Sequence, residues 1–69
     1  MTITQLEYIV ALADLQSFSK AAEFCCVSQP SLSMQVQKLE DELNLILFNR
    51  KVKPLQPTPE ARDIILKAR

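Results

Sequence analysis

Residues 17–40 read SFSKAAEFCCVSQPSLSMQVQKLE. Two helices share this stretch, with a break at Cys26–Ser28. A link of three residues is too short for a relaxed antiparallel hairpin and suits helices that cross steeply, as in a helix-turn-helix. Ser17 or Phe18 opens the first of the two, which runs to about Cys25. Its paired Ala21 and Ala22 allow a neighbouring helix to approach closely. Val27 is placed to plug the angle. Ser28 is an N-cap whose oxygen can take a free backbone N–H, and Pro30 falls in the first turn, where its missing donor does no harm.

The helix that follows, to about Leu43 or Asn44, has an unusual exposed face. At about 100° per residue, Leu32, Val36, Leu39 and Leu43 gather on one side. Pro30, Met34, Gln37 and Asp41 lie opposite, with Ser33 and Lys38 on the flanks. Residues 24–39 carry one charge, Lys38, and no acid. Short neutral side chains of this kind match the edges of bases in a DNA major groove. Gln can pair with adenine, Ser can give or accept a bond, and Met can pack on the thymine methyl. Gln29, Ser31, Ser33, Met34 and Gln37 are therefore the candidate base readers, with Ser28 and Pro30 at the same helix start. The acids Glu40, Asp41 and Glu42 come only at the far end.

Working outward, the N-terminal side holds one more helix, from about Thr4 to Leu15. Thr4 and Glu7 have capping-box spacing, and Leu6, Ile9, Val10 and Ala13 form a buried stripe. On the other side, Ile46-Leu47-Phe48 and residues 52–55 flank the basic run Asn49-Arg50-Lys51-Val52-Lys53. This pattern predicts a small β-hairpin wing, with Pro54 and Pro57 confining the pairing to an edge. Thr58-Pro59-Glu60 starts a last helix, whose Ile64, Ile65 and Ala68 have little of the chain left to pack against. A partner helix, or further chain beyond residue 69, is the expected cover.

Phosphates need anchors of their own, because backbone contacts position a reader and supply much of its affinity. Lys38 lies on the reading helix. Ser19 and Lys20 begin the helix before it, where free N–H groups attract anions. Arg50, Lys51 and Lys53 sit in the wing, from which an Arg can enter the minor groove.

Composition narrows the remaining possibilities. Sixty-nine residues, 48% of them apolar, make one small domain with one core. No apolar run approaches the roughly 20 residues of a membrane span, and no secretion signal opens the chain, which is read as cytoplasmic. Adjacent Cys25 and Cys26 are too close for a relaxed bridge. With no His and no third Cys there is no ligand set for a metal. The pair is read as a small core residue and a turn residue, and no cofactor is implied. An enzyme is disfavoured, since there is no His, no Gly-rich phosphate loop and no carboxylate with a partner to tune it. Net charge is zero, which keeps a second class open: a winged-helix module that binds protein instead of DNA.

Phe18-Ser19-x-Ala21-Ala22, Val27-Ser28-Gln29-Pro30-Ser31-Leu32-Ser33, Leu39-Glu40-x-Glu42-Leu43 and Leu47-Phe48-x-Arg50 together resemble the N-terminal domain of LysR-type transcriptional regulators. The likeness spans Leu6 to about Ala61. Leu6-Glu7-Tyr8 and Met34 look most like the peroxide-responsive, OxyR-like branch. The resemblance implies a mainly α winged helix-turn-helix, a three-helix core with a short wing, over residues 1–57. Residues 58–69 would begin a linker helix that pairs with its twin in a homodimer or dimer of dimers, followed by an effector domain. It implies sequence-specific binding of double-stranded DNA. Gln29, Ser31, Ser33 and Met34 match base-reading positions, Lys38 a backbone or base contact, and Arg50 the wing's contact. The chain departs from the family where Arg or Lys is common, at Met34 and Gln37. It also lacks the usual Gly after the wing, where Pro57-Thr58-Pro59-Glu60-Ala61 stands.

Overall fold

The computed structural model describes residues 2–51 and 54–68. Val52 and Lys53 of the expected wing, and Arg69 of the last helix, lie outside the described residues. The elements are α1 (Ile3–Leu15), α2 (Phe18–Phe24), α3 (Gln29–Leu43), β1 (Phe48–Asn49), β2 (Gln56–Pro57) and α4 (Pro59–Ala68).

Helix α1 starts earlier than the expected Thr4 cap. Thr2 and Gln5 have the same spacing as Thr4 and Glu7, and they form the capping box. The Thr2 hydroxyl accepts the Gln5 N–H at 3.1 Å, and the Gln5 amide oxygen accepts the Thr2 N–H at 3.0 Å. The earlier start also lets buried Gln5 reach the Gln35 amide oxygen on α3 at 3.4 Å. Thr4 and Glu7 are exposed. Ile9, Ala11 and Leu12 form the buried side of α1, with Leu6, Val10 and Ala13 half-buried around it.

Among the described residues, three helix ends turn through the left-handed region without a glycine: Gln16 (φ 55°), Cys26 (φ 60°) and Asn44 (φ 55°). At Cys26 and Asn44 the hydrogen bonds are those of a Schellman motif, which satisfies carbonyls the helix would otherwise orphan. Val27 N–H donates to Ala22 O at 3.0 Å and Cys26 N–H to Glu23 O at 3.2 Å. Leu45 N–H donates to Glu40 O at 3.1 Å and Asn44 N–H to Asp41 O at 3.3 Å. The first motif is the turn of the helix-turn-helix. It sends the chain into α3 so that Leu32, Val36 and Leu39 meet Ala21, Ala22, Ile9 and Leu12 in one core.

The wing is shorter and differently paired than its apolar pieces suggest. β1 and β2 are antiparallel, with Phe48 opposite Pro57 and Asn49 opposite Gln56. Residues 46–48 form a strand only at Phe48, because Leu47 and Phe48 face the core. Pro57 lies inside the pairing, which a two-stranded edge permits. Leu55 N–H donates to Gln16 O at 3.2 Å and ties the returning strand to the corner after α1.

Thr58 caps α4, accepting Ala61 N–H at 3.3 Å while its own hydroxyl donates to Ile46 O at 2.6 Å. The expectation that α4 has little to pack against is wrong at its inner face. Ala61 and Ile65 are buried in the core and α4 contacts α1. The helix returns over α1 instead of leaving the domain, because Thr58 pins its start to residue 46. Leu66 on the outer face is exposed.

Candidate nucleic-acid interface

The local caps set the direction of both helices of the pair. Ser17 accepts Lys20 N–H at 3.2 Å at the head of α2. Ser28 accepts Ser31 N–H at 3.2 Å and donates to the Ser31 hydroxyl at 2.9 Å at the head of α3. With Leu32, Val36 and Leu39 sealed in the core, α3 presents Gln29, Pro30, Ser31, Met34, Gln37 and Lys38 to solvent, while Ser33 is half-buried. Met34 is 56% exposed, an apolar side chain left outside on a helix that is otherwise amphipathic. Lys38 stands one turn beyond it, at the i, i+4 position.

The candidate readers are not equivalent. Ser31 is committed to the Ser28 cap. Gln37 donates from its amide to the Asp41 carboxylate at 3.1 Å, so an acid reaches onto the face that seemed free of them. Ser33 accepts from Arg50 Nη1 at 3.0 Å. Gln29, Met34 and Lys38 project with no side-chain hydrogen bond among the described residues.

Arg50 joins the wing to both helices. Its Nη2 donates to Glu40 Oε1 at 3.3 Å, and its guanidinium lies 4.8 Å from the centre of the Phe18 ring. A groove runs between the heads of α2 and α3 and the wing, lined by Ser19, Lys20, Gln29, Ser33 and Arg50. The expected phosphate anchors Ser19, Lys20 and Arg50 thus share one groove with two expected readers. Ser17 already fills the Lys20 N–H, so Lys20 offers its ammonium there and not its backbone. Lys51 is exposed at the wing tip, where its N–H donates to the Asn49 side chain at 3.1 Å. Lys53 lies outside the described residues.

Sequence reasoning missed Glu40. It found no carboxylate with a partner to tune it, yet Glu40 is only 7% exposed. Glu40 Oε2 accepts Leu47 N–H at 2.7 Å and Phe48 N–H at 3.4 Å, and Oε1 takes Arg50. The available signal was its place two turns after Ser33, on the same flank of α3. Phe18 was read only as a helix start, and it is also the platform for the guanidinium.

The cysteines sit beside this surface without joining it. Cys25 is half-buried against the core and Cys26 is exposed in the turn. Burial pushes the Cys25 thiol up, and Glu7 and Cys26 add to the shift, so its thiolate is disfavoured. Among the described residues, no group of three or more His, Cys, Asp or Glu converges to hold a metal ion.

The family described as "Bacterial regulatory helix-turn-helix protein, lysR family" matches residues 3–62. The chain belongs to the LysR family. This LysR-family domain is 47% identical over 60 residues to the regulator BenM of Acinetobacter baylyi, covering 87% of the chain and 20% of BenM. It is 45% identical over 69 residues to the hydrogen peroxide-inducible genes activator of Haemophilus influenzae, covering 100% of the chain and 23% of that protein. With OxyR of Escherichia coli it shares 56% over 50 residues, 72% of the chain and 16% of OxyR. The chain therefore spans between 16% and 23% of the length of these curated relatives. Its fold superposes on the BenM DNA-binding domain solved with benA site 1 DNA at a TM-score of 0.95 and 43% identity, covering 99% of the chain and 76% of that one. Full-length OxyR from Pseudomonas aeruginosa gives 0.92 and 50%, covering 99% and 23%. The winged helix-turn-helix of the LysR family is the fold of this chain.

Proposed function

We propose that this domain binds double-stranded DNA sequence-specifically as the reading part of a LysR-type transcriptional regulator. Helix α3 enters the major groove with Gln29, Met34 and Lys38 foremost, while Gln37 exchanges Asp41 for a base edge and Ser33 keeps Arg50 on its oxygen and turns its O–H toward a base. Ser28, Pro30 and Ser31 form the helix start that meets the backbone. Ser19, Lys20, Arg50 and Lys51 follow the phosphates on either side, and Lys53 of the wing is assigned with them. The observation that carries the reading is the outward, acid-poor face of α3, anchored from behind by Leu32, Val36 and Leu39 and flanked by the Lys20–Arg50 groove. The near-superposition on a LysR domain solved with DNA supports it.

Residues 1–57 act as the reader, and residues 58–69 begin the linker through which two copies pair. Exposed Leu66 is available for that contact. Identity with the peroxide-inducible activators supports placing the domain in their branch. Among the described residues no helix is long and apolar enough to cross a membrane.

The test is a binding titration with random duplex followed by selection from a random pool. Binding should weaken linearly on a log–log plot against salt, and selection should return a common motif. Salt-indifferent binding with no enriched motif would sink the proposal.

A further inference from the structure

We infer that Glu40 is a positioning residue for DNA recognition, acting through Arg50 and tuning how much of that cation's charge a duplex can use. The inference rests on the DNA-binding reading above and adds a residue that touches no DNA itself.

Glu40 divides its two oxygens between two tasks. Oε2 accepts the backbone N–H groups of Leu47 and Phe48 and so fixes the start of the wing to α3. Oε1 accepts Arg50 Nη2, while Arg50 Nη1 is fixed on Ser33, two turns earlier on the same helix flank. Phe18 of α2 closes the other side of the guanidinium. Three side chains from two helices therefore hold one planar cation at the edge of the reading face. A buried carboxylate is costly unless it is paired and hydrogen-bonded, and Glu40 achieves both through the wing.

An exposed, unpaired Arg neutralises the nearest phosphate of any duplex and adds equally to specific and non-specific affinity. Here Glu40 offsets part of the charge and fixes its direction. A duplex gains the full contact only if its backbone or groove edge lies where the guanidinium already stands. That arrangement converts a sequence-blind contact into one sensitive to groove shape.

The experiment measures binding to a selected duplex and a scrambled one across a salt series. It compares the wild-type chain with Glu40→Gln, Arg50→Gln and the double variant. Gln keeps the size and an acceptor for Leu47 N–H while removing the charge opposite Arg50. For Glu40→Gln, discrimination between the duplexes should fall about tenfold, within the range of one good contact. The salt slope on the scrambled duplex should steepen by up to about 0.9, one counterion. In the Arg50→Gln background the same change should alter neither quantity. A role confined to folding shifts the thermal midpoint without moving the slope. Wild-type discrimination and slope in folded Glu40→Gln, or identical effects with and without Arg50, overturn the inference while leaving DNA binding intact. Failure of the wild-type chain to discriminate overturns both. Should Glu40→Gln not fold, Arg50→Gln decides: with Glu40 offsetting part of the Arg50 charge, its salt slope should flatten by measurably less than about 0.9, and flattening by a full counterion rejects the idea.

Discussion

The Glu40 carboxylate accepts the Leu47 backbone N–H at 2.7 Å, in a position where the side chain is 7% exposed. This bond turns the end of α3 into the first residue of the wing. Removing the carboxylate leaves two buried or partly buried N–H groups and Arg50 without their acceptor. Glu40→Ala should lower stability by about 2–4 kcal/mol, the range for breaking a buried, hydrogen-bonded charge. The check is the denaturant midpoint. A loss below about 0.5 kcal/mol would mean that water replaces the carboxylate at no cost.

The turn between α2 and α3 holds a β-carbon in the left-handed region at Cys26. That conformation costs a residue other than glycine about 1 kcal/mol or more, partly offset by the looser unfolded chain that glycine gives. Cys26→Gly should therefore raise stability by about 0.5 kcal/mol with an unchanged denaturant slope. A clear destabilisation would show that the side chain packs in a way its exposure conceals.

Reactivity should divide the neighbouring thiols. Cys26 is exposed, while Cys25 is half-buried and its thiol is held protonated above the ordinary range. Alkylation followed by peptide mass analysis should find Cys26 modified first at mildly alkaline pH, with Cys25 lagging until higher pH. The sign for stability follows from the same shift. A raised folded-state value favours the neutral thiol, so its contribution is complete below the unfolded-state pKa and declines as pH rises through the folded one. Equal alkylation rates would contradict the buried placement.

Two cations beside the reading face, Lys38 and Arg50, should differ in salt behaviour. Lys38 has no carboxylate partner among the described residues, so Lys38→Ala should flatten the salt dependence of duplex binding by about 0.9. Arg50→Gln should flatten it by less, because Glu40 already offsets part of the Arg50 charge. Equal slopes for both variants would place the two residues in the same electrostatic state.

Base reading is expected to concentrate on Gln29. Gln29→Ala should reduce discrimination between selected and scrambled duplex by about 1–3 kcal/mol, the value of one good contact in the major groove. Ser31→Ala should instead act through the cap, costing about 1 kcal/mol or less of stability with discrimination retained. Loss of discrimination at Ser31 but not at Gln29 would shift the reading helix round by about half a turn.

What the sequence determined by itself was local. Ser28 caps the helix it was expected to cap, α2 opens at the expected Ser17–Phe18 boundary, and Leu32, Val36 and Leu39 line the buried side of α3, because these effects depend on residues within a turn or two of each other. The shortness of the Cys26–Ser28 link dictated a helix-turn-helix, since few backbone paths fit it. Tertiary structure decided the rest. Two capping boxes had equal spacing, and the one formed places Gln5 within reach of α3. The wing's pairing depended on Leu47 and Phe48 entering the core, and α4 folded back because Thr58 bonds Ile46. Glu40 read as one of three acids at the far end of α3. Only the returning backbone of residues 47–48, and an Arg ten positions away, gave its charge a reason to be buried.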